Sequence, residues 1–198
     1  YYPTPFPIVE VIKSFLTFEK NANILDPCCG EGDALQLLAQ GTSAVTYGIE
    51  LDKHRAVEAK KKVYHVLHAG FENVRMSPEG FSCLFLNPPY DWDTQEDSQE
   101  RKEKTFLQGT WKTLKPKGIL IFLIPQHRVD RHISRWLSSR LEEVWIYRFP
   151  DPEYQTYKQI VLFGKKRESQ EHNEKLYQEL LQVPKTELLE LSKQGHPI

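Results

Sequence analysis

Asn87, Pro88, Pro89 and Tyr90 close the apolar run "FSCLFLNPPY" (81–90), and their types can do chemistry together. Neither proline carries a backbone N–H, so the pair cannot continue a sheet ladder or a helix interior. It stiffens a short stretch that presents an amide and an aromatic ring at a strand end. That stretch is either a plain terminator or a binding device. A second pattern, "DPCCGEGD" (26–33), places Asp26, Pro27, Cys28, Gly30 and Gly32 in a turn between a strand and a helix. Glycines there let a ligand approach the backbone, and the helix start aims N–H groups at it. Glu50, followed by Leu51, lies about 20 residues on, where an acid can accept hydrogen bonds from ribose hydroxyls. The third glycine of a dinucleotide fingerprint is missing, so a nucleoside without a pyrophosphate fits better.

The elements that must hold these residues alternate. Strands are expected at 21–27, 43–51, 66–71, 81–87 and 118–125, with helices at 32–41, 52–66, 104–115 and 128–141 between them. The fold expected is α/β, an open and mostly parallel sheet. Two further strands, 143–149 and 158–166, have only "PDPEYQTY" between them and no helix in this reading. They should pair antiparallel, because so short a link cannot make a parallel crossover. The segment 158–165 is expected antiparallel beside 118–124. From Glu168 the chain reads as charged and helical, in two pieces separated at Pro184.

With both motifs in this order, the chain resembles the class I S-adenosylmethionine-dependent amino-methyltransferases, most of all the adenine-N6 DNA methyltransferases. The resemblance rests on "DPCCGEG" and "NPPY" and covers roughly residues 1–166. It implies a Rossmann-like sheet of seven strands with the last one antiparallel, and a catalytic domain over 1–166. Residues 167–198 would be a helical extension that could lead to a missing region. It implies S-adenosyl-L-methionine as cofactor, held by Tyr2, Thr4, Asp26, Pro27, Cys28, Gly30, Gly32, Glu50, Leu51, Phe71 and Asn87. "YYPTP" (1–5) looks like the family segment that packs over the methionine end. It implies Asn87, Pro88, Pro89 and Tyr90 as the catalytic set. The Asn87 oxygen and the Pro88 carbonyl would accept the target amino group, and Tyr90 would stack the extruded base. Those contacts strengthen as positive charge develops on nitrogen. No metal is needed. The family commonly closes its third strand with an acid that binds the cofactor adenine; here "AGFE" puts Gly70 at that position, and Glu72 or a backbone group would have to substitute. The implied partner is DNA. An RNA base, a protein glutamine amide as in the release-factor methyltransferases, and a non-catalytic cofactor-binding module are the alternatives. About 30 residues after the last strand are too few for a target-recognition domain, so specificity would come from a missing region, a partner subunit or loops.

The bulk numbers bound this reading. The 198 residues are 39% hydrophobic and 27% charged, an ordinary globular composition, with a net charge of −1. No apolar run has the length of a membrane span. Residue 1 is Tyr, so the numbering is expected to start inside a longer or processed chain. Cys28, Cys29 and Cys83 are an odd number without a zinc spacing or a secretory signal, which fits a cytoplasmic protein. Cys28 and Cys29 near a helix start are either lowered thiols or, as the default, small turn-filling residues. Arg128, Arg131 and Arg135 share one face of the expected helix and read either as a solvated surface or as phosphate contacts. Lys165, Lys166 and Arg167 read as a charged strand end. "DWDTQEDSQERKEK" (91–104) reads as a mobile loop beside the site that could close over the substrate, while its acids weigh against direct contact with a DNA backbone.

Overall fold

A computed structural model describes residues 2–89 and 102–192. Its centre is a seven-stranded sheet in the order β3-β2-β1-β4-β5-β7-β6. The strands are β1 (Asn23–Asp26), β2 (Val45–Glu50), β3 (His65–His68), β4 (Phe81–Leu86), β5 (Leu114–Pro125), β6 (Leu141–Arg148) and β7 (Gln159–Lys166). The first five pair parallel, and β7 is inserted antiparallel between β5 and β6. The expected antiparallel pairing of the last strands therefore holds, in a register that sets Pro125 opposite Gln159 and Ile121 opposite Phe163.

Alternation along the central strands builds two cores. Leu84, Leu86, Leu120, Phe122, Ile160 and Leu162 face one side. There they meet α4 (Lys102–Thr110), α5 (Arg131–Ser138) and α7 (Glu174–Gln182). Cys83, Phe85, Ile121, Leu123, Val161 and Phe163 face the other, against α1 (Phe6–Ser14), α2 (Asp33–Ala39) and α3 (Lys53–Ala59). Because successive side chains point to opposite faces, strands buried on both sides read as continuous apolar runs, which is what "GILIFLIP" is.

Several expected boundaries shift. The helix expected over 52–66 ends at Ala59; the chain then turns, and Val63 drops into the core with 5% exposure. Gly32 makes that possible, since a Cβ there would sit 2.7 Å from a Val63 methyl. The third strand accordingly runs His65–His68 rather than 66–71. The helix expected at 104–115 is α4 followed by a single 3-10 turn at Trp111–Thr113, and β5 already starts at Leu114. A short helix, α6 (Glu153–Tyr157), sits where none was expected, yet five residues still make a hairpin and not a crossover. The N-terminal helix α1 was not foreseen at all; it buries Ile8, Val9 and Ile12.

The C-terminal residues belong to the same body. Asn173 caps α7, accepting from the Leu176 N–H at 3.0 Å, and Leu176 and Leu180 enter the core beside α5. The second expected helical piece, "TELLEL", is extended instead. Pro184 stops the helix, and backbone bonds from the Arg148 N–H to Leu189 and from the Leu191 N–H to Arg148 lay it beside β6. Among the described residues, no helix is long and apolar enough to cross a membrane.

Candidate active site

The carboxyl ends of the parallel strands open onto a cleft of about 1120 Å³. In such sheets a ligand lies outside the strand ends, where helix and loop N–H groups converge. Tyr2, Pro27, Cys28, Glu50, Leu51, Phe71, Asn87, Pro88 and Pro89, all singled out from the sequence, line it. Asp26, Gly30 and Thr4 do not line it but are hydrogen-bonded to Cys28, Glu50 and Asn87, which do, and Gly32 lies in the same turn as Gly30. Tyr90, and the loop reading for 91–104 except its last three residues, which open α4, lie outside the described residues.

The turn after β1 is built on two glycines with positive φ, Gly30 at 56° and Gly32 at 83°. Side chains rarely adopt that backbone conformation, which is why the motif has glycine there. Asp26 is buried beneath the turn and accepts the Cys28 N–H at 2.9 Å. Loss of solvent raises its carboxyl from the ordinary range to about 7, against the lowering effect of the Cys28 hydrogen bonds. Burial likewise pushes the Cys28 and Cys29 thiols upward, so both are turn-filling residues rather than activated thiols.

Glu50 ends β2 with 4% exposure. One of its oxygens accepts the Gly30 N–H at 2.9 Å. The other accepts from the Asp52 N–H at 2.8 Å and from Arg55, at 3.2 Å for Nε and 2.8 Å for Nη2. The carboxylate thus braces the glycine turn from the neighbouring strand. Arg55 also lines the cleft, a role that sequence reasoning missed because it reads as one charge among many on α3. Its signal is its place, five residues after Glu50 and at the third position of a helix capped by Asp52.

Asn87 ties three segments together. Its side-chain nitrogen donates to Thr4 Oγ1 at 2.9 Å and to the Tyr2 carbonyl at 3.4 Å. A carbonyl can only accept, so the amide is oriented with its nitrogen toward the N-terminal segment and its oxygen on the other fork. The Cys28 thiol donates to the Asn87 carbonyl at 3.4 Å, which joins the β1 turn to the β4 end. Tyr2 in turn packs on Tyr157 from α6, ring centroids 4.5 Å apart.

At the third strand the substituted acid has a structural counterpart. A Cβ added to Gly70 would lie 2.5 Å from a Glu72 carboxylate oxygen. Glu72 therefore folds back into the volume that a side chain at position 70 would enter, and both residues line the cleft. Phe71 is 9% exposed and packs on Phe106, with centroids 4.1 Å apart. Leu51, 71% exposed, supplies the more open apolar surface.

The arginines expected on one helix face separate. Arg128 precedes α5 in a 3-10 turn and pairs with Glu103 at 2.9 Å, while Arg135 lies over the Tyr177 ring. Lys165 and Arg167 pair with Glu142, Glu143 and Glu171, and Lys166 caps the Leu114 carbonyl, as befits a strand end.

The sequence profile of the uncharacterised methyltransferase family (DUF6094) matches residues 1–183. A type II restriction enzyme and methyltransferase, RM.BcgI of Heyndrickxia coagulans, is 22% identical over 147 residues, covering 62% of this chain. The chain spans 23% of the length of that relative. Among solved structures, a Listeria monocytogenes protein described as a class I S-adenosylmethionine-dependent methyltransferase aligns over 96% of this chain and 65% of its own, with a TM-score of 0.67 and 16% identity. The tRNA (m1A58) methyltransferase TrmI of Aquifex aeolicus aligns over 84% and 71%, with a TM-score of 0.59 and 15% identity. TYW2 of M. jannaschii, solved with AdoMet bound, aligns over 80% and 74%, with a TM-score of 0.55 and 13% identity.

Proposed function

Given that the chain belongs to the uncharacterised methyltransferase family (DUF6094), and so is an S-adenosylmethionine-dependent methyltransferase, we propose that it methylates the exocyclic N6 amino group of adenine in DNA. The observation that carries this reading is Asn87. Its amide is turned by Thr4 and Tyr2, it stands at the end of β4 before a buried Pro88, and it lines the cleft. An adenine N6 is a poor nucleophile because its lone pair is delocalised into the ring. The Asn87 side-chain oxygen and the Pro88 carbonyl each accept one N6–H, drawing the nitrogen toward tetrahedral geometry. Both contacts tighten as charge develops, so they act on the rate. The base reaches them only if it leaves the helix stack.

The chain's own residues fit the cofactor. The glycine turn lets backbone approach, Glu50 offers a buried acceptor for hydroxyls, and Glu72 occupies the place of the acid that reads an adenine amine. When bound, S-adenosylmethionine supplies an electrophilic methyl group on a sulfonium. A low-identity relative that combines restriction and methylation favours DNA as the substrate. Target choice would come from a partner subunit or a further region, since RM.BcgI is far longer than the matched part.

The test is transfer of labelled methyl from the cofactor to DNA, RNA and protein fractions, followed by digestion and identification of the modified nucleoside. N6-methyladenine in DNA is the expected product. Label in RNA alone, or on protein glutamine, would overturn the DNA assignment; cofactor binding without any transfer would make the chain a binding module.

A further inference from the structure

One wall of the cleft is basic and is tied together by contacts outside the cofactor side. Lys102 opens α4, His127 and Arg128 follow the end of β5, and Lys158 directly precedes β7; all four line the cleft. The Gln126 N–H donates to the Lys158 carbonyl at 2.8 Å, which joins the two strand ends that carry them. Arg128 is joined to α4 by Glu103, a side chain 1% exposed, at 2.9 Å. Neither Glu103 oxygen makes an aligned hydrogen bond among the described residues, so charge attraction holds the guanidinium at the wall. A carboxylate buried this deeply requires its cation to stay close.

The carboxylates among the described lining residues, Glu50 and Glu72, both stand on the β2–β3 side. Among the described lining residues, the wall made by α4, β5 and β7 adds no carboxylate; Glu103 is paired with Arg128 there. The wall adds the hydroxyls of Thr105 and Thr156 and the ring of Tyr157. In a chain whose net charge is −1, the lining cations among the described residues thus gather mainly on this side. Cations beside hydroxyl donors are the side chains that contact a sugar–phosphate backbone, where they set position rather than read sequence.

We propose that Lys102, His127, Arg128 and Lys158 form a phosphate-binding arc that holds the strand flanking the nucleotide whose amino group reaches Asn87. The inference rests on the amino-methyltransferase reading above. It adds that the substrate is a polynucleotide gripped by its backbone, rather than a free nucleoside or a protein side chain. The phosphodiester chemistry is shared by DNA and RNA, so both sources enter the test.

The experiment measures binding of fluorescein-labelled single strands of mixed sequence, one of DNA and one of RNA, by anisotropy across a salt series. The full chain is compared with Lys102→Ala, Lys158→Ala and the double variant. Arg128 is left in place, because its removal would strand Glu103. Calorimetry with S-adenosylmethionine on each variant checks that the cofactor side is intact, and methyl transfer is assayed in parallel. Each removed phosphate contact should flatten the slope of log affinity against log salt by about 0.7 on a single strand and weaken binding several-fold, with cofactor affinity kept. DNA bound more tightly than RNA makes DNA the arc's ligand, and the reverse makes it RNA. Methyl transfer to nucleic acid with an unchanged slope in the double variant overturns the arc and leaves the proposed reaction standing. Transfer to protein alone, with no salt-dependent strand binding, overturns both.

Discussion

The two halves of the cleft are built from opposite charge. On the β1–β2–β3 half, Asp26 and Glu50 are buried, Glu72 folds into the space beside Gly70, and Arg55, which also lines the cleft, is paired with Glu50. On the β5–β7 half, Lys102, His127, Arg128 and Lys158 line the wall. The acidic half offers acceptors, which suits a small cation bearing hydroxyls and an amine. The basic half offers donors, which suits a polyanion. A cleft for one ligand would not need two signs; a cleft that brings two reactants of different charge together does. Asn87 stands on the seam, bonded by its main chain to the β1 turn and by its side chain to the N-terminal segment.

The seam predicts the largest effect. Asn87→Ala should leave S-adenosylmethionine affinity nearly intact and cut methyl transfer by on the order of 10²–10³, the usual loss for one contact made in the transition state. Single-turnover methylation, cofactor calorimetry and melting temperature on the same protein check it. If Asn87 only ended a strand, its loss would lower stability and leave the specific activity of the folded fraction unchanged.

Asp26 tests the acidic half through pH. Burial holds its carboxyl at about 7, above the unfolded value of 3.8. Between those values the native state keeps a proton that the unfolded state has lost, so stability falls as pH rises toward neutrality and levels above it. Asp26→Asn keeps an acceptor for the Cys28 N–H but carries no titrating proton. Wild type should therefore lose stability relative to Asp26→Asn between about pH 4 and about pH 7, on the order of a few kcal/mol in urea unfolding. A gain in that window would mean that the buried carboxylate is ionised and stabilised, contrary to its surroundings.

Glu50 sharpens the comparison further. Glu50→Ala removes the brace on the Gly30 N–H and the proposed ribose acceptor, a loss of about 1–3 kcal/mol in cofactor affinity by calorimetry. Arg55→Ala is the counterpart, because it releases the oxygen that Arg55 now occupies. Equal or tighter binding in Arg55→Ala, with weaker binding in Glu50→Ala, assigns the carboxylate to the ligand. Parallel losses in both assign it to holding the turn.

Much of this frame was legible because it follows from short-range rules. Two glycines with positive φ, a strand end at two prolines and a hairpin-length link between β6 and β7 declare themselves locally. What was missed depends on distant neighbours. The end of α3 at Ala59 is set by Val63 packing against Gly32, a contact that no window of sequence contains. The extended tail at 187–191 exists because Arg148 offers backbone bonds to Leu189 and Leu191. Arg128 reads as the first member of a helix face, but Asp130 caps the helix only after it, and its partner is Glu103, 25 residues earlier. The chemistry-bearing residues were identifiable by type, but their partners were not.

The smallest expected effect concerns Thr4, which joins the halves without belonging to either. Its hydroxyl meets the Asn87 amide nitrogen at 2.9 Å, with the Tyr2 carbonyl more distant at 3.4 Å. Thr4→Val keeps the shape and removes the hydroxyl, so the amide loses its nearer anchor and its oxygen is no longer held on one fork. A neutral hydrogen bond contributes about 0.5–1.5 kcal/mol, so methyl transfer should fall by up to roughly tenfold. The drop should appear in the single-turnover rate, with cofactor affinity and melting temperature little changed, and Thr4→Ser should restore it. If Thr4→Val instead weakens cofactor binding while the rate at saturation is kept, the N-terminal segment belongs to the acidic half, and Asn87 is oriented by something other than Thr4.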